Sequence, residues 1–407
     1  MATRIACVSD STSELREFWD EYETEFLTWP EQGVYGDDAL TRVTDECSRI
    51  VNLDELKCVV CENLSSAPLV FELRRNGYGG PVVLIPHINA YPTRNLVHAL
   101  LCAQVWGQTD RIIAGSGVTA ERYETALGMT ALAIPTYGVD TRVFFPRGRR
   151  ASREELGLSS EEILVYTGRF ARDKNIGALL LAYDELRAQR RSLELVLAIS
   201  FRDDAYWHML GDLRDGVRVF DKLDGREMGF LYSAADLFLT CSTSYYETFG
   251  RSPLEAIACG TPVLLPDWDG FRSHVDRRTG MLAPVDVLEQ PLYDDWSYSM
   301  VDLAGFVTAC GRMLDAHRET NGLDSRLTFA WTREALRSLV GDLTECSPRT
   351  PSNARRVRPK NEVVTRVVQH LGIADVDDLL RTATCSDDEF PDIDASLRRE
   401  LYLALFA

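Results

Sequence analysis

Short apolar, β-branched runs alternate with longer amphipathic ones through most of the chain, and this alternation restricts its fold more than any other feature. It is the pattern of βα units, whose strands pair in parallel while helices cover the sheet faces. Strands are predicted at Arg4–Val8, Lys57–Cys61, Pro81–Ile85, Arg111–Ala114 and Ala131–Ile134, with helices such as Leu96–Val105 and Ala120–Leu127 between them. The polar stretch Arg147–Arg153 interrupts the series. It resumes with strands Ile163–Thr167, Leu193–Ile199, Val217–Phe220, Leu237–Thr240 and Pro262–Leu265, and helices Gly177–Gln189, Arg226–Ala234 and Pro253–Cys259. The reading is α/β: two doubly wound, Rossmann-like domains over 1–150 and 151–345. After a predicted helix at Trp331–Leu343, a stretch rich in Pro, Ser, Arg and Asn (Glu345–Lys360) reads as a linker. Helical periodicity returns over Val363–Ala407, so 346–407 is expected to be a linker and a small helical appendage.

Charge narrows the function. The 62 acidic residues outnumber the 44 basic ones, giving a net charge of -18, a field that repels polyanions and argues against nucleic-acid partners. The nearest basic cluster, Arg349 to Lys360, is broken by prolines and reads as solvated linker. No window has the eighteen apolar residues of a membrane span, and the N-terminus lacks a secretion signal, so a soluble cytoplasmic protein is expected. Ten cysteines are scattered, and the Cys58-x-x-Cys61 pair falls in a strand-like run without a second ligand pair. These read as buried strand thiols rather than a zinc or redox site. The acidic pairs Asp203–Asp204, Asp294–Asp295 and Asp377–Asp378 read as surface acids, and Asp267–Gly270 as a loop after a strand. No metal and no cofactor is expected.

Two segments carry chemistry. In the first, a strand runs into Cys241, a loop holds Glu247, and a helix starts near Pro253 with Glu255 in its first turn. A helix N-terminus at the carboxyl edge of a parallel sheet presents free N–H groups to a diphosphate. Ser252-Pro253-Leu254-Glu255 is also a well-formed capping box, so Glu255 has a structural and a functional reading of equal standing. Glu247 has no such alternative. In the second segment a strand leads to Gly168, and Arg169 and Lys174 flank the following loop, where Asn175 could cap a helix. Cations there are usually solvated, yet the chain has only four lysines, Lys57, Lys174, Lys222 and Lys360, and Lys174 and Lys222 both fall in loops expected to meet at one crevice.

Taken together, these segments resemble a retaining glycosyltransferase of the GT-B fold, close to family 4 (glycosyl transferases group 1). Gly168-Arg169 with Lys174 is similar to that family's diphosphate segment. Glu247 and Glu255 match its two glutamates, with the intervening Phe249-Gly250 and the following Gly260-Thr261-Pro262-Val263, and Ala235-Asp236-Leu237-Phe238 matches the approach to them. The likeness covers Ile163 to Asp286, extends weakly through Gly138–Pro146, and does not reach the appendage. It implies two Rossmann-like domains facing a central cleft, a nucleotide-diphosphate sugar donor (UDP by family frequency) and a small soluble acceptor such as a specialised metabolite or sugar. Arg169 and Lys174 would neutralise the diphosphate, Glu255 would hold the ribose, and Glu247 would contact the donor sugar near its reacting carbon. The amides of Phe249, Gly250 and Arg251 would lie near sugar and phosphate, and the segment with Lys222 and Leu223 would border the base. His87, after the Pro81–Ile85 strand, matches a histidine placed beside the transferred sugar, although a structural histidine is an equal reading. The loop Val8–Glu14 departs from the glycine-rich loop usual in the family, and the first domain reads as short. Two other functions compete: a sugar-nucleotide epimerase or hydrolase of the same fold, and a non-catalytic partner protein. Any self-assembly is expected to use the appendage.

Overall fold

A computed structural model describes residues 3–10, 13–30, 33–50, 52–292, 297–316, 320, 322–345 and 361–406. The linker 346–360, Asp294–Asp295, and Ser11 and Thr12 of the first loop lie outside the described residues. The chain forms two compact units, one of residues 1–137 with 332–407 and the other of 138–331.

The first unit is built on a six-stranded parallel sheet: β1 (Arg4–Ser9), β2 (Glu23–Thr28), β3 (Cys58–Glu62), β4 (Val82–Ile85), β5 (Arg111–Ala114) and β6 (Ala131–Ala133), in the order β2-β1-β3-β4-β5-β6. Helices α1 (Ala39–Arg49), α2 (Ala67–Arg75), α3 (Thr93–Gln104) and α4 (Gly117–Leu127) connect it. Strands β1, β3 and β4 are buried on both faces, which is why they read as unbroken apolar runs. Cys58 and Cys61 are buried strand residues whose thiols burial pushes up, Cys61 to about 12, so neither is poised for thiolate chemistry. Edge strand β2 was not foreseen. It is half-exposed and carries alternating acids, Glu23 and Glu25, rather than an apolar run. With β2, the first unit has as many main-sheet strands as the second, correcting the impression of a short domain.

In the second unit, α5 (Arg149–Leu156) occupies the stretch expected to interrupt the pattern. It precedes the strands β7 (Glu162–Phe170), β8 (Leu193–Arg202), β9 (Val217–Asp221), β10 (Leu237–Leu239), β11 (Val263–Pro266) and β12 (Gly280–Ala283). All are parallel, in the order β12-β11-β10-β7-β8-β9, and β13 (Val285–Val287) and β14 (Ser299–Val301) form a separate antiparallel pair. Helices α6 (Ile176–Gln189), α7 (Asp204–Leu210), α8 (Gly225–Ala234), α9 (Arg251–Ala258) and α10 (Leu303–Ala316) complete it. The order reverses between β7 and β10. In open α/β sheets, ligands bind at such a switch point, outside the carboxyl ends of the strands. In the first sheet the reversal falls between β1 and β3.

Helix α11 (Phe329–Thr344) returns the chain to the first unit, where α12 (Glu362–His370), α13 (Val376–Thr384) and α14 (Ala395–Phe406) follow. They are the small helical C-terminal segment expected from the sequence, and they fall within the compact unit of the first sheet: α13 lies on α3, and the buried His98 ring of α3 hydrogen-bonds the Ala383 carbonyl at 3.0 Å. Among the described residues no helix is long and apolar enough to cross a membrane.

Candidate active site

At the switch point of the second sheet, two loops meet. The Lys174 ammonium is 2.6 Å from Glu247 Oε1 and 3.6 Å from Asp173 Oδ2, and Arg169 donates to Asp173 Oδ2 at 2.6 Å. The Ser242 hydroxyl donates to the Asp173 carbonyl at 3.1 Å, tying the loops together through the backbone as well. Arg169, Lys174 and Glu247 thus form one ion-paired chain from residues up to 78 positions apart in sequence, counting 169 to 247. Asp173, its middle member, was not singled out from the sequence. It lies between two cations that were, and an acid at such a position is the usual signal of a pair.

Local backbone explains the geometry. The register of β7 on β8 shifts at Gly168, whose φ of 148° suits glycine, and the Arg169 carbonyl accepts from the Tyr166 hydroxyl at 2.7 Å. Gly250, at φ 80°, caps α9, and a side chain there would come within 2.8 Å of the Phe271 ring. The capping-box reading of Glu255 is thereby overturned: the helix starts at Arg251, two residues before Pro253, and no side chain caps it. Glu255 instead accepts from the Tyr232 hydroxyl at 2.9 Å and from Arg251 Nε at 3.1 Å. Burial, then the Glu255 charge, pushes the Tyr232 hydroxyl far up, so it stays a proton donor, and it also meets Thr167 Oγ1 at 2.8 Å. Tyr232 sits on α8, a helix foreseen at Arg226–Ala234, but it belongs to neither of the two segments read as carrying chemistry. Asn175 precedes α6 in a left-handed conformation without capping it by its side chain, again contrary to expectation.

The loop after β11 braces the Glu247 loop. Gly270 N donates to the Glu247 carbonyl at 2.9 Å and Trp268 Nε1 to the Ser244 carbonyl at 2.9 Å. Phe249 is buried, edge-on to the His274 ring. Lys222 and Leu223 lie in the turn after β9 and take no part in the ion-pair chain among the described residues. Beside the chain is a cavity of about 550 Å³ lined by Arg169, Arg172, Asp173, Arg202, Asp203 and Tyr246, among others. Asp203, read as a surface acid, also caps α7 by accepting from Tyr206 N. Asp236, noted in the approach to Glu247, anchors the start of β7 by accepting from Ile163 N and from Arg153.

Residues 148–286 match the family model described as glycosyl transferases group 1. This segment is a group 1 glycosyltransferase domain. Among curated relatives, D-inositol 3-phosphate glycosyltransferase 2 of Catenulispora acidiphila is 29% identical over 284 residues, covering 66% of this chain and 63% of that one. The D-inositol 3-phosphate glycosyltransferase of an Arthrobacter species is 34% identical over 174 residues, 39% of this chain and 41% of the relative. The chain therefore spans less than two thirds of these relatives. Among solved structures, sucrose-phosphate synthase from Thermosynechococcus elongatus matches with a TM-score of 0.59 at 18% identity, covering 84% of this chain and 96% of that one. The Anabaena protein HepE, solved with UDP and glucose, matches at 0.58 and 14%, covering 84% and 100%. At such identities the likeness shows the fold, which is GT-B. The glycosyltransferase domain holds the whole ion-paired chain.

The first unit's candidate, His87, follows β4 in a left-handed conformation with φ 58°. Its ring stacks on Tyr137 at 5.1 Å, and Nε2 lies 4.0 Å from Glu62 Oε2. Burial lowers the imidazole to about 4 and raises Glu62 to about 7, with the Ser13 hydroxyl donating to Glu62 Oε2 at 2.5 Å. At neutral pH this is a neutral histidine beside a partly protonated carboxyl group, and not an ion pair. Glu62 ends β3 at the switch point of the first sheet, and its Oε1 is buried without a hydrogen-bond partner. It was missed because an acid closing an apolar run reads as the start of a loop.

Proposed function

We propose that the protein is a retaining glycosyltransferase that moves a sugar from a UDP-sugar to a hydroxyl of a small soluble acceptor. The observation that carries this reading is the 2.6 Å contact between Lys174 and Glu247, which joins the family's diphosphate segment to its glutamate segment at the sheet's switch point. UDP as the donor base is supported by the UDP in the HepE structure and by the E. coli trehalose-6-phosphate structure with UDP-2-fluoro glucose. The relatives named for D-inositol 3-phosphate support a compact, polyhydroxylated acceptor.

Arg169 and Lys174 take the diphosphate, helped by the first-turn amides of α9, which no side chain caps. When the diphosphate engages Lys174, Glu247 is released from its ion pair and its carboxylate lies near the sugar carbon that gains positive charge. Glu255, oriented by Tyr232 and Arg251, accepts from the ribose hydroxyls. Phe249, Gly250 and Arg251 border sugar and phosphate, and Lys222 with Leu223 borders the base. The bond between sugar carbon and diphosphate oxygen breaks, the acceptor oxygen bonds that carbon on the same face, and its proton passes to the departing diphosphate. His87, neutral at working pH, acts as a hydrogen-bonding partner to sugar hydroxyls. No step calls for a metal. The test is UDP release from UDP-glucose with and without D-inositol 3-phosphate or other polyols, with the product anomer read by NMR. Release that ignores acceptor would favour a hydrolase or epimerase, and an inverted product would overturn retention.

A further inference from the structure

The turn that carries His87 is held by the last helix of the chain. Tyr91 is fully buried and meets the rings of Tyr402 and Phe406 edge-on, at 5.6 and 5.5 Å, and those two rings stack on each other at 4.9 Å. The Arg122 guanidinium lies 4.4 Å over the Phe406 ring and donates to Asn89 Oδ1 at 3.3 Å, while the Tyr123 hydroxyl donates to the Ile88 carbonyl at 2.8 Å. Residues 88, 89 and 91 are therefore each fixed, two through α4 and one directly by α14. A histidine at φ 58° adopts a conformation that side chains rarely take, and it persists only where the surroundings over-determine it. The described residues of 361–406 thus have a task that their helical pattern did not announce.

We propose that Tyr402 and Phe406 of α14 are positioning residues: through Tyr91 and Arg122 they hold the 87–91 turn in the left-handed conformation that presents the His87 ring. The proposal rests on the role given to His87 above, but its geometry does not. In the absence of the clamp the turn relaxes, the ring leaves its stack with Tyr137, and water reaches it.

The experiment is a titration of the His87 ring by NMR in the full chain, assigned with His87→Gln. Glu62 and Tyr137 are titratable groups that face the ring. In the parent protein the ring is expected to titrate near 4. Phe406→Ala is expected to move it upward by roughly one pH unit or more, toward the ordinary value for histidine. Arg122→Gln, which spares the α14 core, is expected to move it in the same direction by less. Phe406→Tyr should restore the parent value, and Val364→Ala, a buried truncation in α12, should leave it unmoved. A folded Phe406→Ala or Arg122→Gln protein with an unmoved His87 ring would overturn the proposal, as would an equal shift in Val364→Ala. Calorimetry with UDP on the same samples reads the second unit separately. A parent protein that fails to bind UDP would defeat the functional reading and leave the clamp standing.

Discussion

The two sheets end in polar clusters of opposite character. The cluster of the second unit is charged and internally paired: Lys174 with Glu247 and Asp173, Arg169 with Asp173, Arg251 with Glu255. In the first unit, burial works against charge, raising Glu62 to about 7 and lowering His87 to about 4. A site for an anion whose charge does not vary needs fixed cations, held apart from collapse by carboxylates that a stronger anion can displace. A site for hydroxyl groups gains from neutral donors and acceptors, because these bind without the cost of stripping water from an ion. Under the proposed function, this difference suits the second sheet to diphosphate and the first to hydroxyl groups.

The largest expected effect breaks the charged side at its centre. Glu247→Gln keeps the shape but removes the charge proposed to face the reacting carbon, so kcat should fall by about 100-fold or more, with UDP affinity nearly unchanged. A loss of UDP affinity with kcat preserved would move Glu247 from the chemistry to the binding of diphosphate. Next come the cations. Lys174→Ala and Arg169→Ala each remove a charge-assisted contact of roughly 1.5–3 kcal/mol, so UDP affinity measured by calorimetry should drop about tenfold to 150-fold. His87→Gln sharpens the contrast, because it should leave UDP affinity where it is. If His87→Gln weakened UDP as much as Lys174→Ala does, the assignment of the two sheets would fail.

How far this contrast could be read from sequence depends on what makes a residue conspicuous. Strands buried on both faces, such as β3 and β4, announced themselves as apolar runs, and so did β7 and β8. The edge strands β2 and β12 did not, because a half-exposed strand keeps polar residues and Gly280 opens one of them. The charged cluster was legible because Arg169, Lys174, Glu247 and Glu255 sit in or beside loops with glycines and a proline at telling positions. Among its supports, Tyr232 and the Trp268–Gly270 turn were not, since each acts through a contact between segments distant in sequence, whereas Asp173 lies in one loop with Arg169 and Lys174 and was passed over. Glu62 is the extreme case. Only the topology that brings the ends of β1, β3 and β4 side by side shows why an acid ends that strand.

A moderate effect is expected at Glu255. If its carboxylate, held by Tyr232 and Arg251, binds ribose equally in ground and transition states as proposed, Glu255→Gln should raise the donor KM about tenfold with little change in kcat. A capping role would have left kinetics unchanged, but the helix begins four residues before Glu255 and the cap is Gly250. Tyr232→Phe should reproduce part of the KM effect, because it removes the hydroxyl that orients the carboxylate. Unaltered KM in both variants would detach this pair from the donor.

The smallest effect is a change of slope on the neutral side. Glu62, raised from 4.5 to about 7, favours the folded state most below 4.5, and this contribution is lost as pH rises through 7. His87, lowered from 6.5 to about 4, works the other way: its contribution is complete above 6.5 and is lost as pH falls toward 4. Between about 4.5 and 6.5 the folded state thus binds more protons at one group and fewer at the other, and their contributions to the slope nearly cancel. Glu62→Gln, which keeps an acceptor for Ser13, should unmask the histidine, so that stability gains a positive slope with pH of at most about 1.4 kcal/mol per unit relative to the parent protein. His87→Gln should add a negative slope over the same window, and the double variant should restore the parent profile. Denaturant midpoints at half-unit steps from pH 4.5 to 7 read this directly. If both single variants merely shifted the whole profile downward, the two groups would be ordinary packing residues, and the neutral character of the first site would have no support in its titration.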